Sequence, residues 1–144
     1  MNGFIIEHSF DYKNYHCVCT FNRMGIRCGY VGVNENHPYY KKEYYDDGPN
    51  EIDCHWGLTY ADRAYFEESN LWYFGFDCGH CTDIPDMDLA LKYRLIDESK
   101  YEYAKQLEEI YASDKYSSVK DLDFVRENCK IIAEQLYLIE KRGN

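Results

Sequence analysis

The spacing of apolar residues changes period part-way along the chain. Residues 15–21, YHCVCTF, alternate in character with the two-residue period of a strand. Residues 27–33, RCGYVGV, read as a second strand. The segment 22–25 between them is a turn in which Gly25 can take a positive φ, so the two strands form a hairpin. Gly29 and Gly32 inside the second strand point to a bulge or a close backbone approach. Two further strands are predicted over 51–59, EIDCHWGLT, and 71–78, LWYFGFDC. Residues 34–50, NENHPYYKKEYYDDGPN, form a long loop interrupted by Pro38 and by Gly48-Pro49. Loops of that length inside a compact domain are often functional. Residues 62–70 are a polar connector.

From about residue 84 the period becomes helical. Residues 84–95 contain Pro85 and are irregular or open a short helix, and Ala104, Leu107 and Tyr111 suit a helix over 101–111. Leu122, Val125, Cys129, Ile132, Leu136 and Ile139 then recur every three or four residues. That single stripe predicts a helix packing one face on the sheet, with Ser118 and Asp121 resembling a capping box at its start. The expected fold is one α+β domain over 1–144: a small, mostly antiparallel sheet of about four strands packed against C-terminal helices.

Composition refines this picture. The chain is 45% hydrophobic and 29% charged, which is globular, and its 144 residues suffice for a core. Sixteen tyrosines either cap a small core or line an interface or pocket with half-buried rings. The formal net charge of −10 repels polyanions and argues against nonspecific DNA or RNA binding. It leaves room for a local pocket that takes a small phosphorylated ligand. No stretch approaches the roughly 20 apolar residues of a membrane span. Seven cysteines, an odd number, without a secretory pattern at the start of the chain, suggest reduced thiols in a cytosolic protein.

The densest chemistry lies in LWYFGFDCGHCTD, residues 71–83, where Asp77, Cys78, His80, Cys81 and Asp83 fall within seven positions. On a strand over 51–59, Asp53 and His55 would share a face. If that strand pairs with 71–78, Asp53, His55, Asp77 and His80 meet at one rim of the sheet. Those four are a candidate site for a divalent metal such as Zn, Mn or Fe. They equally suit proton transfer, with His as base and Asp as orienter, or simple bonding to turn backbone. The candidate ligand-binding set is Tyr30, His55, Trp56, Thr59, Trp72, Phe76, Asp77 and His80. Cys78 and Cys81 form a CxxC, but a structural zinc needs two more ligands, and His16, Cys17 and Cys19 have the wrong spacing. Cys129 on the helical stripe reads as a small buried hydrophobe. No dinucleotide, phosphate-loop, nucleophilic-serine or HExxH motif is present, so no catalytic residue is assigned.

Several stretches together resemble a family of small phage and prophage proteins: CGYVGV (28–33), HPYY (37–40), YYDD (44–47), IDCHWGLT (52–59), WYFGFDCGH (72–80) and DLDFVRENCKIIAEQL (121–136). The family pattern runs C-G-Y-V-G-V, H-P-x-Y, Y-D-D, H-G-G-L-T and W-W-F-G-F-D-C-A-H, followed by a helix ending near A-E-Q-L. This chain departs from it at Trp56 (Gly in the pattern), Tyr73 (Trp) and Gly79 (Ala), and Cys81 lies outside it. The resemblance implies expression in a host bacterial cytoplasm and a counter-defence role. Under that implication the chain binds and sequesters a small nucleotide-derived immune signal. The alternatives are an acidic interaction protein that blocks a host defence or nucleic-acid-binding protein, and a metal-dependent hydrolase. A Tyr-rich chain of this size also suits a homo-oligomer.

Overall fold

The computed structural model describes residues 3–111 and 116–142, the side chains at 110 and 111 apart. Five strands form one antiparallel sheet: β1 (Phe4–Tyr12), β2 (Tyr15–Asn22), β3 (Arg27–Val33), β4 (Tyr60–Asp62) and β5 (Trp72–Asp77). Their order across the sheet is β1-β2-β3-β5-β4. The helices α1 (Met87–Lys92), α2 (Glu98–Tyr111) and α3 (Leu122–Arg142) follow, so the fold is α+β as expected.

Two elements differ from expectation. β1 is additional. It pairs with β2 through a tight turn in which Lys13 and Asn14 both have positive φ, the backbone of a two-residue hairpin loop. Its alternation is broken by a bulge at Glu7, because Ile6 pairs with Thr20 while His8 pairs with Cys19. Residues 51–59, in contrast, are not a strand. The short 3₁₀ turn Pro49–Glu51 is followed by irregular chain, and extended pairing resumes only at Tyr60. The reason is local: Trp56 and Gly57 both have positive φ, and the Gly57 N–H closes a turn onto the Cys54 carbonyl at 3.0 Å. Two such residues cannot continue a pleat.

The sheet buries both faces. On one, Cys17, Cys19, Val31, Val33, Phe74 and Phe76 pack against Val125, Cys129, Ile132 and Leu136 of α3. Register explains the fit. Gly29 pairs with Phe76. A Cβ on Gly29 would sit 2.5 Å from the Phe76 ring and 2.8 Å from Cys129 Sγ. The close approach expected of that glycine is therefore the seat of α3. On the other face, Val18, Tyr30 and Tyr73 pack with Phe66 from the 63–71 connector, backed by Phe4 and Tyr60. Buried Leu, Ile, Val and Phe side chains each contribute roughly 1.5–3 kcal/mol.

The helices begin at carboxylates. Asp86 caps α1 through the Leu89 N–H, Asp97 bonds the Lys100 N–H at the start of α2, and Asp121 bonds the Phe124 N–H at the start of α3. Asp121 therefore caps α3 itself, and Ser118 does not, because its hydroxyl is engaged by Lys120.

The 34–50 loop is pinned to α3 by His37, which is only 3% exposed. Its Nδ1 accepts the Tyr39 N–H at 3.0 Å, so Nε2 carries the proton and donates to the Leu136 carbonyl at 2.9 Å. Burial pushes the His37 pKa below its ordinary value of 6.5, outweighing the carbonyl that favours the cation. The unfolded chain then binds a proton that the folded chain resists. This contribution is complete above about pH 6.5 and is lost as pH falls from there through the folded pKa. Thermal melts between pH 8 and pH 5 are expected to show a falling midpoint, and His37→Gln to flatten that part of the profile. An unchanged profile in the variant would assign the pH dependence elsewhere.

Candidate functional site

The site begins where β5 ends. Asp77 Oδ1 accepts the Gly79 N–H at 2.9 Å, folding the chain back, and Oδ2 accepts the Thr59 hydroxyl at 3.1 Å. His80 Nε2 lies 3.3 Å from Asp77 Oδ1 as an ion-pair contact, but the alignment is too poor for a hydrogen bond and the nitrogen is buried without one. The next turn is closed twice over. The Asp83 N–H donates to the His80 carbonyl at 2.9 Å, and Asp83 Oδ2 accepts the His80 N–H at 3.0 Å.

Asp83 is the centre of the network. Its side chain is 1% exposed, and both carboxylate oxygens lie 2.9 Å from His55 Nε2. Lys120 Nζ approaches Oδ1 at 3.2 Å while also bonding the Thr82 and Ser118 carbonyls and the Ser118 hydroxyl. Burial alone would raise the Asp83 pKa. Hydrogen bonds from His55, the His80 backbone and Lys120 outweigh it and hold the carboxyl below the usual range. The pairing of Asp83 with Ser118 as a parallel bridge brings Lys120 alongside.

α3 positions His55 from the other side. The His55 N–H donates to Asn128 Oδ1 at 2.9 Å, and Asn128 Nδ2 donates to the Phe124 carbonyl at 3.1 Å. The imidazole meets the Phe124 ring edge-on, with centroids 4.9 Å apart. The next residue, Trp56, stacks on His80 at 5.2 Å with ring planes 23° apart. It is nevertheless 54% exposed. Its φ of 60° lies in the region that glycine occupies most cheaply, so an exposed tryptophan is held there at a conformational cost.

Of the residues predicted from sequence, His55, Trp56, Thr59, Asp77 and His80 form a continuous chain of contacts. Three predicted ligands lie elsewhere. Tyr30 is on the opposite face of the sheet, its hydroxyl 2.7 Å from that of Tyr65. Phe76 is in the core beneath α3. Trp72 is at the far end of β5, donating from Nε1 to the Lys42 carbonyl at 2.7 Å. Asp53 is also apart. With no strand to share, its N–H and carbonyl are both held by the Gln135 side-chain amide, and its own side chain is exposed. Among the described residues, no three His, Cys, Asp or Glu side chains gather as a group that could hold a metal ion.

Sequence reasoning placed Asp83 in the cluster but gave it no role, and it missed Lys120, Asn128 and Phe124. The one available signal was Asn128, a polar residue set beside the apolar stripe of α3. Cys17, Cys19 and Cys129 are buried in the core, with Cys129 on the stripe as expected, and Cys81 is exposed. Burial pushes the Cys54 and Cys78 thiols up to about 12, so neither is a thiolate near neutral pH.

No family model, curated protein or solved structure matches the chain. Among the described residues, no helix is long and apolar enough to cross a membrane.

Proposed function

We propose that the chain is a phage-type accessory protein that binds a small nucleotide-derived signal of host immunity, with Trp56 as the platform for its base. The observation that carries this reading is Trp56 itself. A bulky ring is kept in solvent at a backbone angle that disfavours it, and such outliers are concentrated at binding and catalytic sites. One face of the indole is backed by His80, which leaves the other for a planar partner. Stacking of a base on an aromatic side chain is worth about 1–3 kcal/mol. His55, oriented by Asp83, lies beside it as a polar contact for a sugar or an amide edge, and the Thr59 hydroxyl is joined to the platform through Asp77 and His80.

A Trp72→Phe background makes Trp56 the sole fluorophore of its kind. Titration with cyclic dinucleotides, cyclic trinucleotides and ADP-ribose-type molecules is expected to quench it in a saturable way. Trp56→Gly removes the platform and relaxes the positive φ, so its stability should stay within about 1 kcal/mol of the parent. Binding should fall at least tenfold in the same variant. A flat fluorescence response and unchanged melting temperature across the panel would sink the proposal.

A second reading is supported by the same exposure. Trp is enriched at interface hot spots, and a net charge of −10 suits a basic partner surface. This reading has the chain blocking a nucleic-acid-binding protein of the host. It expects a complex that weakens steeply with salt and is lost in Trp56→Gly, with no small-molecule response.

A further inference from the structure

We infer that a second site, at the opposite end of β5, binds a small phosphorylated molecule that also carries a hydroxyl or amino group. A recess of about 420 Å³ opens where the start of the long loop crosses the connector before β5, lined by Asn34, Glu35, Tyr40, Lys41, Arg63 and Asn70. That volume lies within the usual range for small-molecule sites. From Leu71 beside it to Asp77 at the first site, a strand of this length spans about 20 Å. The two sites are therefore separate, and the second does not rest on the reading of Trp56.

The chain has 26 acidic and 16 basic residues. Among the described residues Lys13, Arg27, Lys105, Lys120, Arg126 and Lys130 are ion-paired, and the other nine basic residues are not. Lys41 and Arg63 line one recess, and neither is ion-paired among the described residues. With Glu35 as the one carboxylate of the lining, Lys41 and Arg63 leave the recess a net charge of +1, opposite in sign to that of the whole chain. Arginine supplies the planar fork that suits phosphate oxygens, and lysine a mobile point charge.

Lys41 has a φ of 68°, a conformation that costs a side-chain-bearing residue energy and places its stem at the recess. The wall is fixed rather than loose. The Tyr40 hydroxyl donates to the Asn70 carbonyl at 2.9 Å, tying the loop to the connector. Next along the loop, the Lys42 carbonyl accepts the Trp72 Nε1–H at 2.7 Å, tying it to β5. Lys41 Nζ lies over the Tyr40 ring at 5.8 Å from its centroid, so the cation rests on an aromatic wall.

Glu35 sets the chemistry of the rest of the ligand. A carboxylate in the same recess opposes a bare anion and accepts a hydroxyl or amine proton. The combination selects a phosphorylated sugar or phosphorylated amine over inorganic phosphate.

The test uses amide-resolved NMR titrations of the whole chain with inorganic phosphate, ribose 5-phosphate and ribose. Ribose 5-phosphate is expected to shift amides in 34–41 and 63–71 in a saturable way, with inorganic phosphate weaker and ribose without effect. Arg63→Gln and Lys41→Gln, both at exposed positions, should each weaken ribose 5-phosphate at least tenfold. Glu35→Gln should erase the preference over inorganic phosphate. Trp56→Gly should leave all of this unchanged, which separates the two sites. No saturable shift in those segments up to millimolar ligand, or binding indifferent to both cation variants, would overturn the inference.

Discussion

Glu7→Ala is expected to lower the free energy of unfolding by about 3–5 kcal/mol, the cost of breaking a buried ion pair by removing one partner. The Glu7 and Arg27 side chains are 5% and 6% exposed and meet as two parallel hydrogen bonds, Nε to Oε1 at 2.7 Å and Nη2 to Oε2 at 3.2 Å. Arg27 also donates from Nη1 to the Lys120 carbonyl and lies over the Phe21 ring, while Glu7 accepts the Tyr93 hydroxyl. Alanine at position 7 leaves a buried guanidinium with a single carbonyl for company. The pair exists because the β1 bulge turns Glu7 inward, an arrangement that also blunts an edge strand against unwanted pairing. The double variant Glu7→Met with Arg27→Met should recover most of the loss, since apolar replacement of both partners removes the stranded charge. Denaturant unfolding of Glu7→Met, Arg27→Met and the double variant closes the cycle. A loss under 1 kcal/mol in Glu7→Ala would show that water reaches Arg27.

How much of this was legible depended on where each residue's partners lay. β2, β3 and β5 are covered on both faces, so their apolar runs have one good explanation. The stripe of α3 is read off spacing alone because one face meets the sheet. β1 escaped notice because an edge strand needs fewer apolar positions and its bulge at Glu7 breaks the alternation. Residues 51–59 look like a strand in composition, and what prevents it is the pair of positive φ angles at Trp56 and Gly57. Glycine at 57 hinted at the turn, but tryptophan at 56 hid it. The site divides in the same way. Asp77 and His80 lie three residues apart in sequence and were readable together. The contact of His55 with Asp83 spans 28 residues, and its contact with Asn128 spans 73. Such pairs are set by how α3 lies on the sheet, which local pattern does not encode.

Asp83→Ala is expected to cost about 3 kcal/mol, and to do so by releasing three segments at once. The carboxylate receives His55 from the 54–57 turn, the His80 N–H from its own turn, and Lys120 from the approach to α3. Lys120 keeps its carbonyl partners in the variant, which limits the penalty of its stranded charge. His55 keeps its backbone bond to Asn128 and its edge-on contact with Phe124, but the imidazole loses its hydrogen bond to Asp83. The pH profile carries the clearest signature. Because the folded-state pKa of Asp83 is depressed, its stabilisation is present above the unfolded value of about 4 and is lost as pH falls below that through the folded pKa. Asp83→Asn keeps the shape but cannot ionise, so its stability should decline less steeply than the parent between about pH 4 and pH 2. Ligand quenching of Trp56 should weaken in both variants, since His80 beneath the indole is held by the same carboxylate. If Asp83→Asn matches the parent in acid, the anchoring of these turns lies in backbone contacts, and the carboxylate network is incidental to the site.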